Sequence, residues 1–158
     1  MKAVLQRVRR ASVEVDSKIV GQIEQGMVVL LGIAKGDTAA DVEFMVRKVP
    51  ALRIFSDEEG KMNRSLQEVG GSILLISQFT LLASLERGRR PSFEDAAAPE
   101  DAEPLYQLTV ERFKTQGYRV ETGIFGASMI LSLDNVGPVT LLLDSRQKER
   151  VKHYDQEQ

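Results

Sequence analysis

The chain has 158 residues, 42% hydrophobic and 28% charged, with a formal charge of −2; that balance suits one globular domain with a real core and excludes a disordered chain. It has no cysteine and one histidine, which excludes disulfides, thiol catalysis and sulfur-ligated structural zinc. The pI of about 5.6 excludes a protein that coats nucleic acid through a broad basic surface, so any RNA contact has to be local.

No apolar stretch approaches the roughly 20 residues that cross a bilayer. Met1-Lys2-Ala3-Val4-Leu5-Gln6-Arg7 turns polar too soon for a signal peptide, and a cytoplasmic protein is expected. Lys2 to Val8 and Ser12 to Val15 read as strands, and Ile19 to Ile23 follows a turn at Asp16-Ser17-Lys18. Met27 to Ala34 is nearly all apolar and β-branched, as in a central strand covered on both faces. At Gly36-Asp37-Thr38 the period changes. Thr38 is placed to cap, Asp41 lies three residues on, and Val42, Met45, Val46 and Val49 share one face of a helix that Pro50 should end or kink.

Leu52 to Phe55 reads as a strand, Asp57-Glu58-Glu59-Gly60 as a turn, and Gly70-Gly71 as the hinge into an apolar strand, Ser72 to Ile76. Ala83 to Pro99 has neither period. Glu100 to Gln116 is a second helix, apolar through Leu105, Tyr106, Thr109 and Phe113, with Gly117 as its C-cap. Arg119 to Thr122, Ser128 to Leu133 and Val139 to Leu143 supply three more strands. The expectation is an α+β fold: a curved, mainly antiparallel, barrel-like sheet with two main helices on one side, residues 1–145 as a single domain and 146–158 as a polar C-terminal tail. His153 falls in that tail, which leaves no histidine to pair with a nucleophile. The apolar strands exceed the needs of one sheet face, which fits a further face buried between subunits.

Two segments carry the functional reading. Ile73-Leu74-Leu75-Ile76 delivers Ser77 and Thr80 to a strand end, within Ser77-Gln78-Phe79-Thr80-Leu81, and Asn135-Val136-Gly137-Pro138-Val139-Thr140 exposes main-chain groups beside a second strand. On spacing alone, Ser77, Thr80 and Thr140 equally well complete strand hydrogen bonding, Phe79 packs in the core, and Gly137-Pro138 makes a turn. Their clustering at strand ends is also what a pocket needs if main-chain amides, rather than titrating side chains, recognise the substrate.

These segments, together with Gln6-Arg7-Val8, Leu52-Arg53-Ile54-Phe55, Gly60-Lys61-Met62-Asn63, Gly88-Arg89-Arg90-Pro91-Ser92-Phe93 and Phe125-Gly126-Ala127, resemble the D-aminoacyl-tRNA deacylase family in order and approximate spacing. Val136, where the family usually has a small polar residue, Ser128, in place of a commonly acidic one, and Pro50 depart from its pattern. The resemblance implies a homodimer in which Gly137-Pro138, joined by a cis bond, enters the partner's pocket formed by Ser77 to Thr80. It implies ester cleavage of D-aminoacyl-tRNA, and of glycyl-tRNA, with L-amino acids rejected by main-chain collision and the tRNA assisting its own hydrolysis. Phe79 and Thr80 then position or stabilise the oxyanion, while Ser77, Gln78, Phe125 and Met129 join in substrate binding, with Gln6 and Arg7 near the pocket. No cofactor or metal is expected. A non-catalytic nucleic-acid-binding dimer and a serine esterase are the rival readings, the second weakened by the missing histidine.

Overall fold

The structure is a computed structural model and describes residues 1–147; all of the expected tail beyond Gln147, His153 included, lies outside them. Strands are β1 (Lys2–Val15), β2 (Lys18–Ile23), β3 (Gly26–Gly32), β4 (Phe55–Ser56), β5 (Met62–Arg64), β6 (Ser72–Ser77), β7 (Val120–Thr122) and β8 (Ile130–Asp144), with helices α1 (Ala39–Ala51) and α2 (Pro99–Thr115). The main sheet runs β2-β1-β3-β6-β7, with β8 on β1. It is mixed: β1 pairs antiparallel with β2, β3 and β8, while β3–β6 and β6–β7 are parallel. Curvature brings β2 back toward β7, where a Cβ on Gly21 would stand 2.5 Å from the Thr122 carbonyl oxygen; only glycine permits that approach.

The two N-terminal strands expected from sequence are one bent strand. Inward positions run Ala3 and Leu5, then Val8, then Ala11 and Val13, and the alternation slips where the β1–β8 register shifts, between Gln6 and Val8 and between Val8 and Ala11. Val13 and Glu14 mark a further shift against β2. Bulges of this kind bend a strand and raise its twist, which lets one strand serve two directions of a curling sheet. The two C-terminal strands likewise join as β8. Gln6 faces Thr140 and Val8 faces Asn135, so Val136 to Val139 bulge out of the ladder opposite Arg7 alone.

Thr38 caps α1 in a capping box with Asp41, and the helix closes one residue after Pro50. Gly117, at φ +94°, ends α2 by donating to the Lys114 carbonyl. Tyr106, Val110 and Phe113 of α2 meet Met45 and Val49 of α1 and Leu75 of β6 in the main core. The expected strand at Leu52–Phe55 shrinks to Phe55–Ser56, and β5 was not anticipated. This short hairpin is held by Arg53, whose guanidinium donates to the Asn63 carbonyl and side-chain oxygens, pairings that periodicity does not encode. No helix among the described residues is long and apolar enough to cross a membrane.

The Met1 ammonium is fully buried and meets the Asp37 carboxylate at 2.8 Å. It also donates to Ser145 Oγ at 3.0 Å, and Ser145 Oγ donates to Asp41 at 2.7 Å. The start of β1, the cap of α1 and the end of β8 thus share one polar junction. Burial raises the Asp41 carboxyl, but hydrogen bonds from the Thr38 amide and Ser145 hydroxyl outweigh it, and the group titrates below its usual 3.8. A depressed carboxyl contributes stability above its unfolded pKa that is lost as pH falls through the folded one, so urea midpoints should be flat from pH 7 to 5 and drop below about pH 4. Asp37→Asn leaves a buried ammonium without its counter-charge and should cost about 3 kcal/mol in urea unfolding at pH 7.

Candidate functional site

The end of β6 is fixed by its parallel neighbour. Leu31 of β3 faces Ser77, and its carbonyl accepts from the Gln78 amide at 2.8 Å. A 3-10 turn, Phe79–Leu82, follows, so the residues after Ser77 leave the sheet as a tight corner that presents main-chain groups. Across from it, Ala34 bridges Ala96 and the Ala97 amide donates to the Ile33 carbonyl at 3.0 Å. The segment without periodicity is therefore held by backbone pairing.

Between these walls lies a cavity of about 610 Å³. Leu31, Ile33 and Ile76 form its sheet side, Ser77, Gln78 and Phe79 one rim, and Phe125, Met129 and Leu131 another, with Phe93 and the small residues Ala96, Ala97 and Ala102 completing it. Among the described residues, not one that lines it is Asp, Glu, His, Lys, Arg or Tyr. Its side-chain polarity reduces to the Ser77 hydroxyl and the Gln78 amide. Phe79, 55% exposed, stands edge-on to Phe93 with ring centroids 5.1 Å apart, so it forms the rim of the cavity rather than packing in the core.

Thr80 is exposed and does not line the cavity. Its hydroxyl accepts from Gln78 Nε2 at 2.6 Å, and among the described residues no carboxylate or imidazole hydrogen-bonds to it. Gln6, Arg7, Gly137 and Pro138 form a second cluster, away from this cavity. Arg7 Nε donates to the Val136 carbonyl at 3.1 Å, and Nη1 donates to the Ile54 carbonyl at 2.8 Å. Gln6 Nε2 reaches Thr140 Oγ1 at 3.4 Å, and the Val139 amide donates to Asn135 Oδ1 at 3.2 Å. The bulge is thus braced at its base while Val136, Gly137 and Pro138 face outward. The Gly137-Pro138 peptide is cis, as the resemblance implies, and Gly137 has φ +119°. A Cβ there would lie 2.8 Å from Arg7 Nη2, so glycine lets the guanidinium pack under the bulge.

A family model described as D-Tyr-tRNA(Tyr) deacylase matches residues 4–144. The chain belongs to that family. A D-aminoacyl-tRNA deacylase of Aquifex aeolicus is 52% identical over 147 residues, 93% of this chain and 99% of the relative. The one from Fervidobacterium nodosum is 56% identical over 146 residues, 92% and 98% of the two chains. Among solved structures, a c-Myc DNA unwinding element binding protein superposes with TM-score 0.86 at 42% identity, covering 91% of this chain and 98% of that one. A probable eukaryotic D-amino acid tRNA deacylase shares the fold, with TM-score 0.76 at 20% identity over 90% and 98%.

Within this family frame, Ser77, Gln78, Phe79, Phe125 and Met129 come together around one cavity, and Gly137-Pro138 stands apart with Gln6 and Arg7. Sequence reasoning missed Leu31, Ile33, Ala96 and Ala97 as lining residues, and gave Phe93 no role. The only available signal was the alanine run Ala96-Ala97-Ala98, whose small side chains leave room for a cavity. Beneath it, buried Tyr106 donates to the Leu75 carbonyl at 2.8 Å and lies 5.8 Å from the Phe125 ring. Burial pushes its phenol up to about 12, so it stays neutral and acts as a strut for the floor. Tyr106→Phe strands the Leu75 carbonyl and should lower unfolding free energy by about 1–2 kcal/mol, measured by urea titration at neutral pH.

Proposed function

We propose that this chain hydrolyses the ester of D-aminoacyl-tRNA, and of glycyl-tRNA, releasing free amino acid and tRNA. The observation that carries the reading is the 610 Å³ cavity whose lining holds no titratable side chain. The many relatives named D-aminoacyl-tRNA deacylase, two of them at 52% and 56% identity, support the substrate class. Residues 1–145 serve as one catalytic domain.

The bound ester sits with its carbonyl at the corner made by Ser77 to Phe79, where the Phe79 amide receives developing negative charge and Thr80 helps hold the corner through Gln78. With no base in the lining, the adjacent 2′-hydroxyl of the terminal adenosine positions the attacking water. The water oxygen bonds to the ester carbonyl carbon, the C–O bond to the ribose 3′-oxygen breaks, and that oxygen leaves with a proton. Phe125 and Met129 bound the aminoacyl space.

Handedness is sorted by a second copy of this chain. Its Gly137-Pro138 bulge, braced by Arg7 and Gln6, supplies a main-chain wall over the partner's cavity; a D side chain points past the wall and an L side chain larger than glycine collides with it. Two features support this assembly. The bulge is exposed yet braced, and β8 is an edge strand carrying exposed Ile130, Leu141 and Leu142, the last 81% accessible, a surface that a second subunit would cover.

Purified protein incubated with D-Tyr-tRNA, L-Tyr-tRNA and Gly-tRNA should deacylate the first and third and spare the second. Equal loss of D- and L-esters would overturn the sorting mechanism. Tight tRNA binding without ester loss would favour the rival binding function, to which the name of the 42%-identical structural neighbour points. Thr80→Ala should keep activity within about tenfold, whereas a 2′-deoxy terminal adenosine should lose at least about a hundredfold in single-turnover rate; the opposite ranking would mark Thr80 as the nucleophile.

A further inference from the structure

A cavity without charged lining can seat an aminoacyl group, but it offers nothing to the phosphates that follow on an RNA chain. With the whole chain at −2, those phosphates need a local basic element. The described residues divide the basic clusters clearly. Arg9 and Arg10 both bind the Asp134 carboxylate at 2.8 Å, and the Arg9 hydrogen bond, with the charge of Arg10, holds that carboxyl below its usual range. Arg7 is committed to the Val136 and Ile54 carbonyls. Arg87, Arg89 and Arg90, in contrast, are all exposed and take part in none of the ion pairs or side-chain hydrogen bonds among the described residues.

Those arginines crown a hairpin. Ser84 and Ser92 exchange backbone hydrogen bonds of 2.8 and 3.0 Å, and Gly88 turns the tip at φ +67°. The tip, residues 86–90, sets three arginines against Glu86; Glu94 and Asp95 follow only beyond the bridge. One residue past that bridge, Phe93 packs on Phe79, and both line the cavity. The hairpin is therefore joined directly to the cavity rim. Its four residues from bridge to tip reach at most about 14 Å, comparable to about four stacked nucleotides at roughly 3.4 Å each.

We propose that the Ser84–Ser92 hairpin is a phosphate clamp that grips the acceptor end of the tRNA through Arg87, Arg89 and Arg90 while the terminal aminoacyl group occupies the adjoining cavity. The identity of the RNA rests on the deacylase reading; the clamp itself rests on the unpaired guanidinium groups and their attachment to the rim. Guanidinium forks match phosphate geometry, and their location outside the cavity leaves the aminoacyl site uncharged.

The test is fluorescence-anisotropy binding of uncharged tRNA at several salt concentrations, with wild type, R87Q/R89Q/R90Q and R9Q/R10Q. The hairpin variant should bind about tenfold or more weakly, with the slope of log affinity against log salt reduced by about 2; R9Q/R10Q should follow wild type. In turnover, the preference of the hairpin variant for D-tyrosyl-tRNA over D-tyrosyladenosine, which has no phosphate, should fall about tenfold through KM. Wild-type affinity and salt slope in the hairpin variant, or an equal loss in R9Q/R10Q, would overturn the clamp. If wild type cleaves neither ester, the deacylase reading fails while the binding comparison still decides the clamp.

Discussion

Because β1 pairs on one edge with β8 over almost its whole length and on the other with β3 and then β2, the position of a single strand governs both residue clusters. Through β3 it sets the ledge on which β6 ends, and hence the corner at Ser77 to Phe79. Through β8 it sets where the ladder opens to release Val136 to Val139, with Arg7 as the lone residue opposite. The bulges that bend β1 are what reconcile these two tasks, since a straight strand could not follow both directions of the sheet.

The chemistry of the cavity follows from what surrounds it. A wall of apolar and small residues excludes water and lowers the local dielectric, which strengthens hydrogen bonds from fixed main-chain donors. The same setting is hostile to an unpaired charge, so it is consistent that charge is kept at the rim and beyond, on the arginine hairpin and at the Asp134 pair. The selectivity proposed for the peptide groups would have a further advantage: main-chain atoms hold their positions without the rotamer freedom of a side chain.

Much of this was legible in the sequence, for identifiable reasons. The capping residues Thr38 and Asp41, the terminator Pro50 and the heavily apolar run of β3 each carry a local signal, and each element formed where that signal stood. The two breaks in β1 and β8 were read as strand ends because polar or exposed residues interrupt the apolar pattern; in space they are bulges inside continuous strands, and only the pairing partner distinguishes the cases. Ser77, Gln78 and Phe79, which line the cavity, were legible as a cluster because they end a strongly apolar strand. Ala96 and Ala97 were not, since what fixes them is backbone pairing to the end of β3, which leaves no mark on side-chain type. The separation of Gly137-Pro138 from the cavity likewise depends on long-range register.

The β1–β8 ladder also has a temporal side. Lys2 faces Asp144, so β1 leaves the ribosome well before the strand that covers its outer edge is made. Its inner edge can be satisfied early, because β2 and β3 follow within a few residues; its outer edge remains an open template until β8 has emerged. Such non-local closure is slow and leaves strand edges vulnerable to association. During biosynthesis, the outer edge of β1 is therefore open to unwanted pairing until β8 reaches it.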